Sequence, residues 1–266
     1  MGRALRQHRQ VGWFHVMNRG AGRRDIFTSD ADRVGFGAAL GEACERHDIE
    51  VHAYCLMPNH FHLVVHCPDG NLSTMMQWLQ AVVTRRFNRR HGNDGPILRG
   101  RFRSKEIDTD AYLVAATHYV HLNPAVLSGR RAVESYRWSS LRTYLGHRAA
   151  PSWLRTDVVL GLHGDDRAAF VAAMVRPLGE LDPVLLEILA EFAVEEFADE
   201  LVPAPRLART VLLAVADELG TTAPALLEHL ASGRSDTVQR ALRRARGRVV
   251  AEPGLRFPRK VFLLAG

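Results

Sequence analysis

The 266 residues are 47% hydrophobic and 24% charged, the balance of a folded globular chain, which excludes a disordered or fibrous protein and allows one large domain or two small ones. No run of about 18 apolar residues and no secretory apolar core follows the mixed polar start, so the expectation is a cytoplasmic protein with no membrane contact. Cys44, Cys55 and Cys67 are odd in number and form no C-x-x-C pair, which argues against a disulfide framework or a cysteine zinc site.

Charge is segregated along the chain. Residues 1–150 carry +8, residues 151–200 carry −8 and residues 201–266 carry +6, for a net charge of +6. A polyanionic partner fits this pattern, although 33 of the 35 basic residues are arginine, a bias that a GC-rich genome also produces.

In chain order, Val11 to Asn18 reads as a strand ended by a turn at Arg19-Gly20-Ala21-Gly22, and Ser29 or Asp30 caps a helix running to about Arg46. Ile49 to Leu56 and His60 to His66 have strand length and are separated by Met57-Pro58-Asn59, whose proline cannot sit inside a central ladder; they are two adjoining strands or one bent strand. A long helix begins at Asn71 or Ser73 and stops at Gly92. Ile97 to Ile107 alternates as a strand should, and Asp108 or Thr109 caps a helix that Pro124 must end. From about Pro151 the texture changes: 179–201 is acidic, and 206–248 reads as two or three short helices. The expected organisation is a mixed α/β part over 1–150 and a mainly helical part over 151–266.

The chemistry centres on Pro58-Asn59-His60-Phe61-His62, because residues i and i+2 of a strand project from one face and two imidazoles so placed can hold a divalent ion. H-x-H alone describes two hydrogen-bonded sheet histidines equally well. A third donor is offered by the helix after Asp110, where Tyr119 and Asn123, four residues apart, share a face. An Asn carbonyl oxygen is an acceptable ligand for Mg²⁺ or Mn²⁺, and a phenol beside such a cation can attack a phosphodiester. The alternative is structural: Tyr112 and Tyr119 in one amphipathic stripe, and Asn123 before Pro124 as an ordinary helix end.

Longer stretches carry a more specific signal. HVMNRG (15–20), RDIF (24–27), HAYCLMPNHFHLVV (52–65) and YVHLNP (119–124), in this order and spacing, resemble the single-tyrosine HUH transposases, and among them the REP-associated tyrosine transposases and insertion-sequence relatives. FNRRHG (87–92), GRFRS (100–104) and YRWSSLRTYLG (136–146) extend the likeness, which covers about 11–147. The resemblance implies an α+β fold, a ferredoxin-like antiparallel sheet with helices on one face, followed here by the helical C-terminal region. It implies His60 and His62 as metal ligands, Asn123 as the residue completing the site, and Tyr119 as the nucleophile. It further implies Mg²⁺ or Mn²⁺, a 5′-phosphotyrosine intermediate on single-stranded hairpin DNA, a homodimer, and no small-molecule cofactor.

Two basic clusters are candidate DNA contacts: Arg85, Arg86, Arg89 and Arg90 at the end of one helix, and Arg99, Arg101, Arg103 and Lys105, which share a face if 97–107 is one strand. Arg19 joins them. Each cluster is also what a solvated surface looks like. In 206–248, Gly233-Arg234 followed by Thr237-Val238 resembles, in degenerate form, the helix-turn-helix of the bacterial replication initiator; a plain helical bundle is the alternative. Two other functions remain open: a domesticated, non-mobilising DNA-binding or regulatory protein with the same fold, and an unrelated metallohydrolase using water.

Overall fold

The structure, a computed structural model, describes residues 11–124 and 131–174. The acidic stretch 179–201 and the helix-turn-helix expected over 206–248 lie outside them. Of the described residues, 11–124 and 131–171 belong to one compact unit and 172–174 fall in a second.

The elements run β1 (Gly12–Arg19), α1 (Asp30–His47), β2 (Glu50–Met57), β3 (His60–Cys67), α2 (Leu72–His91), β4 (Arg103–Ile107) and α3 (Asp110–Leu122). Short helices follow at Arg131–Ser135, Leu141–Tyr144, Asp157–Gly161 and Arg167–Met174. All pairings are antiparallel and the strand order is β2-β3-β1-β4. With the βαββαβ sequence of elements, this is the ferredoxin-like arrangement.

Strand alternation divides the sheet into two faces. Phe14, Val16, Tyr54, Leu56, Phe61, Leu63 and Val65 turn to one side and pack with Phe36, Leu40, Met75, Met76 and Leu79 of α1 and α2 in a single apolar core. The opposite face carries His15, Met17 and Arg19 on β1 against Val64, His62 and His60 on β3, and α3 packs across β2 and β3 there. The register shift between Val51 and Ala53 changes the parity of β2 and keeps Val51 on the core side with Tyr54 and Leu56, while on β3 a slip of one residue would drive the histidines into the apolar core.

Local signals explain the boundaries. Ser29 caps α1 through a reciprocal capping box with Asp32, and Asp48 ends it in the left-handed conformation. Gly92, at φ 63°, ends α2, and Thr109 caps α3 by accepting from the Tyr112 amide. The strand expected over 97–107 begins only at Arg103. Gly100, at φ 112°, turns the chain before it, and residues 98–99 instead attach to Gly20 and Arg19 through an isolated bridge and an Arg99 amide bond of 2.9 Å.

Pro58 and Asn59 form a two-residue connection, so β2 and β3 are two strands of a hairpin with Met57 paired to His60. The connection is held from outside: the Pro58 carbonyl accepts from the Ile26 and Phe27 amides at 2.9 and 3.0 Å, and the Asn59 carbonyl accepts from the Gly20 amide at 2.8 Å. The NRG and RDIF segments therefore exist to cradle this turn. The outer edge of β2 is covered by 136–140, where Ser140 bonds both backbone groups of Tyr54 and the Tyr136 hydroxyl donates to the Leu56 carbonyl at 2.7 Å. Farther along, the Tyr144 hydroxyl donates to the His52 carbonyl at 2.7 Å, and Arg155 donates its amide to Val51.

Candidate active site

Three elements supply the candidate residues. β3 presents His60 and His62 on the face away from the apolar core, their ring centroids 5.0 Å apart and their planes nearly perpendicular. α3 delivers Tyr119, and Asn123, the residue that caps the helix after Leu122, follows one turn later. The Asn123 amide nitrogen donates to the Tyr119 carbonyl at 3.1 Å, so the side chain closes back on its own helix end.

The predicted residues meet. The Asn123 oxygen lies 3.3 Å from His60 Nε2, and the Tyr119 ring stands edge-on to His62 with centroids 5.6 Å apart. His62, Asn123 and Tyr119 are buried while His60 is partly exposed, so the site opens at the hairpin end of the sheet. Sequence reasoning gave no role to two further residues of this site. Asn59 bonds His60 Nδ1 at 2.7 Å, and His15 of β1, itself buried, places Nε2 2.9 Å from His62 Nδ1. The signal for both was present, since HVMNRG and PNHFH contain them, but their reach depends on strand register.

The donor chemistry fits a divalent cation. Asn59 is oriented by its own amide nitrogen, which donates to the Arg23 carbonyl at 3.3 Å, so its oxygen accepts from His60 Nδ1–H and the neutral His60 ring keeps its lone pair on Nε2. Asn123 is oriented likewise by Tyr119, so its oxygen faces that lone pair. The pair, 3.3 Å apart, is a hydrogen bond when Nε2 carries a proton and a pair of lone-pair donors for a cation when it does not. Ligands about 2.1 Å from one ion and roughly 90 to 105° apart are about 3.0 to 3.4 Å from each other, which is this spacing. Among the described residues no group of three His, Cys, Asp or Glu side chains is arranged to hold a metal, so a site here depends on the Asn123 amide as its third donor.

His118 and His121 flank Tyr119 in sequence but turn elsewhere. His118 packs on Phe170 and His163, and His121 Nε2 pairs with the Ser140 hydroxyl at 2.7 Å. Burial, helped by His163, pushes His118 down to about 3, and burial with His118 nearby also lowers His121 well below the ordinary imidazole range. Both are neutral packing histidines at neutral pH.

The basic candidates divide. Arg19, opposite His60, and Arg103 and Lys105, opposite Met17 and His15, lie on the histidine face, with the Lys105 ammonium 5.5 Å from the centre of the Tyr112 ring. Arg99 and Arg101 are exposed in the segment preceding β4. The structure does not bring Arg85, Arg86, Arg89 and Arg90 to this face, because α2 packs on the other one. There Arg86 pairs with Glu42 and Arg90 with Asp32, at 2.7 and 2.6 Å, joining α2 to α1. Arg85 and Arg89 are exposed.

Residues 10–122 match the profile of a family described as transposase IS200 like, over less than half of the chain. The chain is similar to a putative REP-associated tyrosine transposase of Haemophilus influenzae, 27% identical over 116 residues. That alignment covers 40% of this chain and 66% of the relative, just under two thirds of its length. The solved structure of the REP-associated tyrosine transposase bound to a REP hairpin aligns at 19% identity and a TM-score of 0.46, covering 57% of this chain and 89% of that one. Among the described residues no helix is long and apolar enough to cross a membrane.

Proposed function

We propose that the protein cleaves and rejoins single-stranded hairpin DNA through Tyr119 with a divalent cation, a reading supported by the match of residues 10–122 to the IS200-like transposase profile. The observation that carries this reading is the convergence of His60, His62, Asn123 and Tyr119, from chain segments about sixty residues apart, on one sheet face.

His60 Nε2, His62 Nε2 and the Asn123 oxygen would hold Mg²⁺ or Mn²⁺; Mn²⁺ suits the imidazoles better. A cation bound there supplies positive charge to a non-bridging phosphate oxygen. The Tyr119 oxygen attacks phosphorus as its proton is lost to solvent, the bond from phosphorus to the 3′-oxygen breaks, and that oxygen takes up a proton. The products are a 5′-phosphotyrosine and a free 3′-hydroxyl. Phosphate bond energy is retained in the link, so the hydroxyl reverses the step without another energy source. The edge contacts of the Tyr119 ring limit its motion, which helps align attack.

Arg19, Arg99, Arg101, Arg103 and Lys105 would carry the DNA backbone to this opening, and Arg85 and Arg89 would contact it only from beyond the far face. A hairpin strand is the DNA partner of this reading, and two copies per hairpin is the assembly we expect, checked by light scattering.

The test is a short hairpin-bearing strand incubated with the purified chain and Mg²⁺ or Mn²⁺, then resolved on a denaturing gel. A covalent protein–DNA adduct is expected from the wild type and none from Tyr119→Phe. Cleavage that persists in Tyr119→Phe rejects the tyrosine mechanism in favour of water, and tight hairpin binding with no cleavage by the wild type rejects catalysis altogether.

A further inference from the structure

We propose that His15 is the positioning residue of the metal site: it accepts a hydrogen bond from His62 Nδ1–H and thereby fixes His62 with its Nε2 lone pair directed to the cation. The proposal rests on the metal reading of His60, His62 and Asn123 above.

The geometry begins with register. Met17 of β1 stands directly opposite His62 on β3, so His15, two residues along β1 on the same face, is its diagonal neighbour. The two rings have planes 6° apart, centroids 5.1 Å apart and a nitrogen pair at 2.9 Å, which places them edge to edge in one line and not face to face. That is the geometry of an imidazole–imidazole hydrogen bond.

Such a bond has two possible directions. If His15 donated, the His62 proton would sit on Nε2, and that nitrogen would have no lone pair for a metal ion. If His62 donates from Nδ1, Nε2 is the basic atom, and polarisation of the ring by a cation strengthens the same bond. His60 follows the same rule, with Asn59 accepting from its Nδ1. Both ligand rings are thus held by an acceptor at Nδ1, one from the hairpin turn and one from the neighbouring strand.

Burial makes the direction matter. His15 is 3% exposed and His62 fully enclosed, so water does not exchange with this bond and the His15 acceptor determines the tautomer. The Tyr119 ring stands edge-on to both imidazoles, 5.8 Å from His15 and 5.6 Å from His62. His15 therefore supports the ligand and the nucleophile's ring together.

Mn²⁺ titration of the full chain, followed by electron paramagnetic resonance without DNA, separates this role from simple packing. His15→Leu keeps much of the volume but removes the acceptor and should weaken Mn²⁺ binding about 10- to 100-fold. His15→Gln places a carbonyl oxygen near the position of Nε2 and should retain affinity within a few-fold. Equal affinity in His15→Leu and wild type overturns the proposal, as does equal loss in His15→Leu and His15→Gln. A wild type whose binding is indifferent to His62→Ala refutes the metal site itself, a separate failure. Nitrogen-15 spectra of the metal-free wild type need no variant: a protonated His62 Nδ1 with bare Nε2 supports the proposal, and the reverse tautomer overturns it.

Discussion

The Asn123 oxygen and His60 Nε2 lie within hydrogen-bond distance of each other at 3.3 Å, although 63 residues separate them. A cation held by both atoms would interact directly with that oxygen, so the strength of binding should follow the oxygen's charge. Asn123→Asp should tighten Mn²⁺ binding by roughly tenfold, because a carboxylate is the stronger hard ligand. Asn123→Leu should weaken it by at least about tenfold, since His60 and His62 alone give too few donors. Calorimetric titration of the two variants beside the wild type measures both directions. Equal affinities would remove Asn123 from the site.

His118 makes stability pH-dependent from inside the α3 packing. Its folded pKa, near 3, lies below the unfolded value of about 6.5, so the stabilisation is complete above pH 6.5 and is lost as pH falls from there towards 3. Over that window each pH unit costs up to about 1.4 kcal/mol from this group. His118→Phe should flatten the fall. Urea unfolding at pH 7 and pH 5 gives the comparison, and an unchanged slope in the variant would assign the dependence elsewhere.

Asp32 acts in the opposite charge sense. Burial alone would raise its carboxyl, but hydrogen bonds from His91, Arg90, Ser29 and Thr28 outweigh it and hold the group well below the usual carboxylate range. Its stabilisation is therefore present above about pH 4 and is lost as pH falls below that. Asp32→Asn should lose about 2 to 3 kcal/mol near neutrality, combining a weakened α1 cap with loss of the ion pairs to α2. The loss should narrow as the wild type is taken below pH 4 in thermal denaturation.

Gly20 has no room for a side chain: a Cβ there would run into the Arg24 carbonyl oxygen. The clash is with backbone, in the loop that holds the Pro58-Asn59 turn, so the neighbour cannot rotate away. Gly20→Ala should cost about 2 to 4 kcal/mol and also weaken metal binding, because His60 begins the strand leaving that turn. Gly22→Ala, which meets nothing within 4 Å but sits at φ 61°, should cost only about 1 kcal/mol. Denaturant midpoints of the pair test the contrast.

Much of the site was readable in the chain itself. Period-two alternation places His60 and His62 on one face, and helical spacing stacks Tyr119 over Asn123, so each pair was determined before any packing was known. Pro58, Gly92 and Thr109 marked their boundaries for local steric and hydrogen-bonding reasons. Alternation predicts a strand from Ile97, but β4 begins only at Arg103, because Gly100 breaks the extended backbone with a positive φ.

Backbone periodicity is local, so the residue order alone specifies the chemical groups and their orientation within each element. Long-range packing is what lays α3 across the histidine face, brings His15 into register beside His62 and puts the arginines of α2 on the other side of the sheet. Those outcomes depend on strand order and on which face the apolar core claims. Both are settled by burying Phe14, Val16, Phe61 and Leu63 against α1 and α2, a choice made by many distant residues at once.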